Sequence, residues 1–177
     1  MSLIDSQSIL EYRRAITQTC YSRRAMDFRA CADYGLGQPL YLDVKIDGNH
    51  TKNLRAQLIG FKDTTFTNPV VIADTGLHPS EELVEGKHLY AQIVQTNKKY
   101  RYIAVRFIPS ADGDTESTDV DPKVTYDQKE LCRFSPVKKV GEDLPAVANG
   151  VSAYLVVNIP TDVEYPTVNA DKITAGV

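Results

Sequence analysis

The chain has 177 residues, a hydrophobic content of 42%, a charged content of 24% and a formal net charge of −3 at pH 7. These values are typical of one globular domain and exclude a collagen, a coiled coil and a wholly disordered chain. The negative charge argues against a dedicated nucleic-acid binder, and no apolar run approaches the roughly 18 residues that cross a membrane.

The first 26 residues are polar and carry arginines, which predicts an N-terminal arm outside the main domain. A weak apolar pattern over Ser6 to Ile16 is compatible with one short helix, and an extended arm is the alternative. The start of the chain does not have the basic and apolar regions of a signal peptide. Three scattered cysteines predict no disulfide framework, so we expect synthesis in a reducing cytosol.

From residue 39 the apolar residues recur at every second position, which is the period of a strand with one buried face. Predicted strands or short apolar runs cover 39–47, 53–61, 70–76, 88–95, 100–108 and 150–159. The turn Asp47-Gly48-Asn49 joins the first two into an expected antiparallel pair, and one helical turn is expected over 79–85. Many short strands with little helix predict an all-β sandwich or jelly roll over residues 27–159.

Residues 110–145 form a long excursion that begins with the acidic stretch ADGDTESTDVD. Such a stretch buries too little apolar surface to order itself, so we expect a solvated loop or a segment ordered by a partner. Calcium binding by its carboxylates is the alternative, although the spacing is not that of a helix–loop–helix calcium site. Residues 160–177 contain two prolines and no periodicity, which predicts an extended C-terminal arm.

The triplet Asp74-Thr75-Gly76 follows an apolar run and is the sharpest enzymatic candidate. It is similar to the active-site loop of aspartic proteases, in which two carboxylates share a proton. The chain has one such triplet, so a protease of this kind would have to dimerise. The alternative is that these turn residues end a strand.

Arginines are concentrated near the N-terminus, where the first 38 residues carry five arginines against four acidic residues. Paired arginines bind carboxylates of a neighbouring protein well because the guanidinium donates two parallel hydrogen bonds. A solvated face paired with local acids is the equal alternative. The candidate contact residues are Arg13, Arg14, Arg23, Arg24 and Arg29.

Tyrosines interleave the predicted strands at Tyr41, Tyr90, Tyr100, Tyr102 and Tyr154. They are compatible with a sugar-stacking face, with a protein interface or with cross-strand packing inside a sheet. The three histidines and three cysteines lack the spacing of zinc ligands, so we expect no metal site built from them.

Four stretches together carry a family resemblance: YGLGQPLYLDVKID (34–47), LRAQLIGFKDTTFTNPVVIADTG (54–76), LVEGKHLYAQIV with KYRYIAVRF (83–107), and AVANGVSAYLVVNI (146–159). The chain resembles the capsid cement (decoration) proteins of tailed bacteriophages, of the Bordetella-phage type. The resemblance covers about residues 28–109 and 146–170, and its motifs are structural rather than catalytic.

The resemblance implies a jelly-roll β-sandwich that is made in the host cytoplasm and binds the outer surface of the phage head. It implies contact with the major capsid protein, a homodimer or homotrimer on a local symmetry axis, and capsid stabilisation. It implies no enzymatic activity, no cofactor, no direct nucleic-acid contact and no membrane. A carbohydrate-binding jelly roll and a dimeric aspartic protease remain the alternatives.

Overall fold

The computed structural model describes residues 8–32, 39–66, 69–110, 125–132 and 144–156. Within these ranges the chain is almost entirely β, with ten strands and two single 3-10 turns, Ser80–Glu82 and Gln128–Glu130. The strands are β1 (Ser8–Ala15), β2 (Cys20–Tyr21), β3 (Ala25–Ala32), β4 (Tyr41–Ile46), β5 (Asn53–Phe61), β6 (Val70–His78), β7 (His88–Gln92), β8 (Tyr100–Ser110), β9 (Leu131–Cys132) and β10 (Gly150–Val156).

The strands form two sheets with one apolar core between them. The first sheet has the order β1-β10-β4-β7, and the second has the order β6-β5-β8-β3-β9, with β2 also paired to β8. The described pairings are antiparallel except for that of β3 with β9, which is parallel. The predicted all-β sandwich is therefore confirmed.

The core is built from the apolar positions that alternate along each strand. Its larger members include Leu10, Leu42, Val44, Ile46, Leu54, Leu58, Ile72, Leu89, Ile103, Val105, Phe107, Val151 and Leu155. Burial of each such side chain stabilises the fold by roughly 1.5–3 kcal/mol relative to exposure. The alternation read from the sequence correctly identified the inward faces of β4, β5 and β8.

The expected pairing of β4 with β5 is wrong. β4 lies between β10 and β7 in the first sheet, whereas β5 lies between β6 and β8 in the second sheet. The turn that begins at Asp47 therefore crosses from one sheet to the other. Alternation determines which side of a strand is buried, but two strands in opposite sheets bury their apolar sides in the same core and give the same pattern.

The first strand corrects the prediction of an arm over residues 1–26. Residues 8–15 are a strand, not a helix, and pair with β10 near the other end of the described chain. Leu10 and Ile16 are fully buried in the core. Residues 8–26 thus belong to the sandwich, while residues 1–7 lie outside the described part of the chain.

The apolar pattern of β1 was weak because the strand contains two irregularities. Its register against β10 shifts between Ile9 and Glu11 and again between Glu11 and Arg14. A bulge adds a residue and changes the side on which the following side chains lie. The period-2 signal is therefore broken inside a genuine strand.

The excursion over 110–145 returns to the domain at its middle. Tyr126 is buried against Phe61 and Tyr102 on the outer side of the second sheet, and its hydroxyl donates to the Ser22 carbonyl at 2.8 Å. Burial raises the pKa of Tyr126. Residues 125–132 of the predicted excursion therefore pack against the domain and add the short strand β9 to the second sheet. The acidic stretch and the predicted C-terminal arm over 160–177 lie outside the described residues.

Backbone hydrogen bonds connect the two sheets at both sides. The Arg24 amide donates to the Leu10 carbonyl at 3.2 Å, and the Val94 amide donates to the Ile72 carbonyl at 2.9 Å. These bonds link β1 to the segment before β3, and β6 to the segment after β7. They join the two sheets at both edges of the sandwich.

Candidate interaction surface

The buried side chain of Glu11 on β1 binds two of the predicted arginines, Arg14 and Arg23. Glu11 accepts from Arg14 Nη1 at 3.3 Å, from Arg23 Nε at 2.6 Å and from the Arg23 amide at 2.9 Å. A buried carboxylate is stable only when it is paired and hydrogen-bonded. Glu11 therefore holds both guanidinium groups in fixed positions, and Arg23 also donates to the Tyr12 carbonyl.

Arg13 lies in the bulge between Glu11 and Arg14. Its φ of 48° is in the left-handed region, which residues other than glycine rarely adopt. The Arg13 amide donates to Ser152 Oγ at 2.9 Å, and its guanidinium donates to the Pro145 carbonyl. Bulges near functional sites redirect side chains, and this one turns Arg13 toward the segment before β10.

Exposed apolar side chains lie beside these arginines. Tyr12 is 48% exposed, and Leu144, which precedes the Pro145 carbonyl bound by Arg13, is 37% exposed. Arginine and tyrosine are the residue types enriched in the energetic centres of protein interfaces. We call the group Tyr12, Arg13, Arg14, Arg23, Arg24 and Leu144 the β1 surface.

The remaining two predicted arginines are placed differently. Arg24 is exposed and directly follows Arg23, and its amide is bonded to β1. Arg29 lies apart, further along β3 at a second bulge with a φ of 66°. Its amide donates to Asp27 Oδ1 at 2.7 Å. The structure thus brings four of the five candidate arginines to one region.

The Asp74-Thr75-Gly76 triplet forms a bulge inside β6 and does not end the strand. Thr75 and Gly76 lie opposite Ala56, the φ of Gly76 is 76°, and the strand continues to His78. The interpretation as a strand-ending turn is therefore wrong. A bulge of this kind needs a residue that tolerates positive φ, which explains the glycine.

Asp74 is buried and fully engaged by its own sheet. Its carboxylate accepts from Arg55 Nη2 at 2.5 Å, from Gln57 Nε2 at 2.9 Å and from the Gly76 amide at 2.8 Å. A catalytic carboxylate pair instead shares a proton between two acids. The arrangement around Asp74 is that of a structural ion pair.

The interleaved tyrosines are buried, whatever side of the sheets they occupy. Tyr41, Tyr90, Tyr100, Tyr102 and Tyr154 are each at most 9% exposed. Stacking on a sugar requires an exposed ring face, so these rings do not form the open platform that a carbohydrate site would need. Burial raises the pKa of Tyr154, in agreement with this environment.

The histidines occur in separate environments. His88 Nδ1 lies 2.7 Å from Asp43 Oδ1 and its ring stacks on Tyr90, whereas His50 is buried near the Gly150 carbonyl and burial lowers its pKa. Among the described residues, no group of three potential metal ligands is present. The described part also contains no helix with the length and hydropathy needed to cross a membrane.

Two comparisons with known proteins gave no relative. The sequence matches no family model, and no curated protein matches it significantly. The family resemblance therefore depends on the sequence stretches given above. Of the β1 surface, Tyr12 and Leu144 were not found from the sequence, because they are far apart in the chain and neither lies in a periodic pattern.

Proposed function

We propose that this chain is a capsid cement (decoration) protein, a structural virion protein that binds the outer surface of a tailed-phage head. In this role it bridges neighbouring major capsid protein subunits and stabilises the shell. The proposal starts from the family resemblance of residues 28–109 and 146–170. It assigns the chain to the virion surface and gives it no catalytic step and no cofactor.

The observation that carries the proposal is a difference between buried and exposed side chains. Buried carboxylates are paired within the chain, whereas large apolar side chains are left exposed at the surface. The four buried carboxylates of the described residues, Glu11, Asp43, Asp47 and Asp74, each have partners within the chain. The exposed large apolar side chains instead lie beside charged residues at the surface. This is the chemistry expected of a rigid binding module.

We further propose that the sandwich is a jelly roll. The strand pairs are nested in the sequence, since β5 pairs with β6, β4 with β7, β3 with β8 and β1 with β10. A long antiparallel ribbon that is folded over itself gives this nesting and distributes the pairs between two sheets. Jelly rolls are double-sheet structures of this type, and β2 and β9 would be additions to it.

The proposed mechanism is multivalent adhesion across joints of the shell. Each contact with a capsid subunit can be weak, because binding of one site raises the effective concentration of the next. A symmetric homodimer or homotrimer would contact several capsid subunits at once.

The test is the binding of the purified full-length chain to phage heads from which the protein has been removed by deletion of its gene. We expect the chain to co-sediment with these heads at a saturable, symmetry-related copy number and to raise the temperature at which they rupture. Cryo-electron microscopy of the same particles should show added density on the outer surface. Heads that remain bare at saturating protein concentrations would contradict the proposal.

A further inference from the structure

A tight turn leads into β10, and it contains the only Asn-Gly pair of the sequence. The Gly150 amide donates to the Val147 carbonyl at 2.7 Å, so residues 147–150 form one turn. Asn149 is the third residue of this turn and has a φ of 54°. The third residue of a type II turn needs a positive φ, which glycine and asparagine tolerate best. The turn therefore explains why an asparagine precedes Gly150.

Asn149 connects β10 to two other segments of the chain. Its carbonyl accepts from the Ile16 amide at 2.8 Å, and its amide donates to the Asn49 carbonyl at 3.1 Å. Its side-chain Oδ1 accepts from the Thr51 amide at 2.8 Å and from Thr51 Oγ1 at 3.3 Å. The fold thus uses both the backbone and the side chain of Asn149, so a chemical change at this residue disturbs the junction of three segments.

An asparagine followed by glycine can lose its side-chain amide without an enzyme. The Gly150 nitrogen attacks Asn149 Cγ, and glycine hinders this attack least because it has no side chain. The new N–Cγ bond closes a cyclic imide, the Cγ–Nδ2 bond breaks, and the Gly150 amide hydrogen leaves with the side-chain nitrogen as ammonia. Water then opens the imide at either of its two carbonyl groups, which gives aspartate or isoaspartate.

The folded chain prepares one partner of this reaction and blocks the other. The two Thr51 donors on Asn149 Oδ1 stabilise the negative charge that develops on this oxygen during the attack. The Gly150 nitrogen must first lose its hydrogen, but that hydrogen is held by the Val147 carbonyl and Gly150 is buried. The reaction therefore needs the turn to open.

We propose that Asn149 is a modification site that the folded chain protects and that unfolding makes reactive, with water as the co-reactant and deamidation as the reaction. Isoaspartate places its side-chain methylene in the backbone, so the turn no longer brings Asn149 to Ile16 and Asn49. A chain that has stayed unfolded is thereby marked and does not regain the native sandwich. The modification concerns this chain alone and holds or fails independently of binding to phage heads.

The first test compares the full-length chain in its folded state and in guanidinium chloride. Both samples are incubated at the same mildly alkaline pH in water labelled with heavy oxygen, and peptide mapping by mass spectrometry measures the label at Asn149. We expect the folded chain to react at least about tenfold more slowly, because an opening free energy of about 1.4 kcal/mol already gives this factor. Equal rates in the two samples would overturn the proposal.

A second test removes the protecting hydrogen bond from the folded chain. A Cβ on Gly48 would overlap the Val147 carbonyl oxygen, which is the acceptor of the Gly150 amide. Gly48→Ala should therefore speed the reaction of Asn149 under conditions in which circular dichroism shows a folded chain. Gly76→Ala is the matched control, because it strains a positive φ in β6 without touching this turn. A folded Gly48→Ala chain that reacts as slowly as wild type would contradict the role of the bond, and if this variant does not fold, the comparison of folded and unfolded wild type decides.

The third test measures the effect on refolding. Asn149→Gly keeps a residue that tolerates the positive φ and has no amide to lose. After long incubation in guanidinium chloride and dilution, wild type should lose refolding yield in proportion to its isoaspartate content, whereas Asn149→Gly should keep its yield. Full refolding of isoaspartate-containing wild type would overturn the proposed marking of unfolded chains.

Discussion

Buried acidic side chains in this protein join neighbouring segments of the chain through ion pairs and hydrogen bonds. Asp74 joins β6 to β5 through Arg55 and Gln57, and Glu11 joins β1 to the segment before β3 through Arg23. In both cases an acid is more deeply buried than the arginine that pairs with it. If the acid is removed, the arginine that remains is partly exposed. The main loss is therefore that of the hydrogen bonds between the strands.

Substitution of Asp74 should therefore reduce stability. Asp74→Ala removes the acceptor of Arg55, Gln57 and the Gly76 amide, and we expect the free energy of unfolding to fall by about 2–3 kcal/mol. Urea denaturation measures the loss, and Glu85→Ala, at an exposed position, is the control with a change within about 0.5 kcal/mol. The same stability in wild type and Asp74→Ala would contradict the structural role. If the chain cleaved peptides, Asp74→Asn would abolish cleavage, whereas binding to phage heads would survive it.

His50 predicts a loss of stability in mild acid. Burial lowers the pKa of His50 in the folded state, so the unfolded chain takes up the proton first as the pH falls below about 6.5. The contribution of neutral His50 to the free energy of unfolding is fully present above that pH. It is lost as the pH falls through the folded-state pKa. We expect the free energy of unfolding to decrease between pH 7 and pH 5 by more in wild type than in His50→Asn. If wild type and His50→Asn lost stability equally between pH 7 and pH 5, protonation of His50 would not be the cause of the loss.

The strand β1 provides the clearest test among the elements. Leu10 is fully buried in the core and Tyr12 is largely exposed on the same strand. Leu10→Ala should lower the free energy of unfolding by about 2–5 kcal/mol, because it leaves a cavity between the sheets. Tyr12→Ala should change it by no more than about 0.5 kcal/mol. Thermal or urea unfolding of both variants measures the difference, and a neutral Leu10→Ala would mean that residues 8–15 act as a detached arm.

Across the whole molecule, the alternation of apolar and polar residues predicts which side of a strand is buried but does not predict which strands pair. The inward positions of β4, β5 and β8 could be predicted because a strand with one buried face repeats every two residues. The strand β1 could not, because its bulges at Ile9–Glu11 and Glu11–Arg14 interrupt that repeat. The partners of β4 and β5 are non-local and leave no mark in the local pattern.

The candidate site was predictable only in part for the same reason. The clustering of arginines between residues 13 and 24 is visible in the sequence, and the structure brings two of them, Arg14 and Arg23, together on Glu11. Leu144 and Pro145 join them through the return of the chain to β10, which no local pattern reveals. The β1 surface thus becomes apparent only from the topology.

The pairing of β1 with β10 has a consequence for synthesis of the protein. A nascent chain on the ribosome exposes residues 8–15 long before residues 150–156 have left the exit tunnel, so β1 waits for its partner strand while the segment between them is synthesised. Until then Arg13 has neither Ser152 nor Pro145 to bind. The β1 surface therefore reaches its final arrangement only after residues 144–156 have been synthesised.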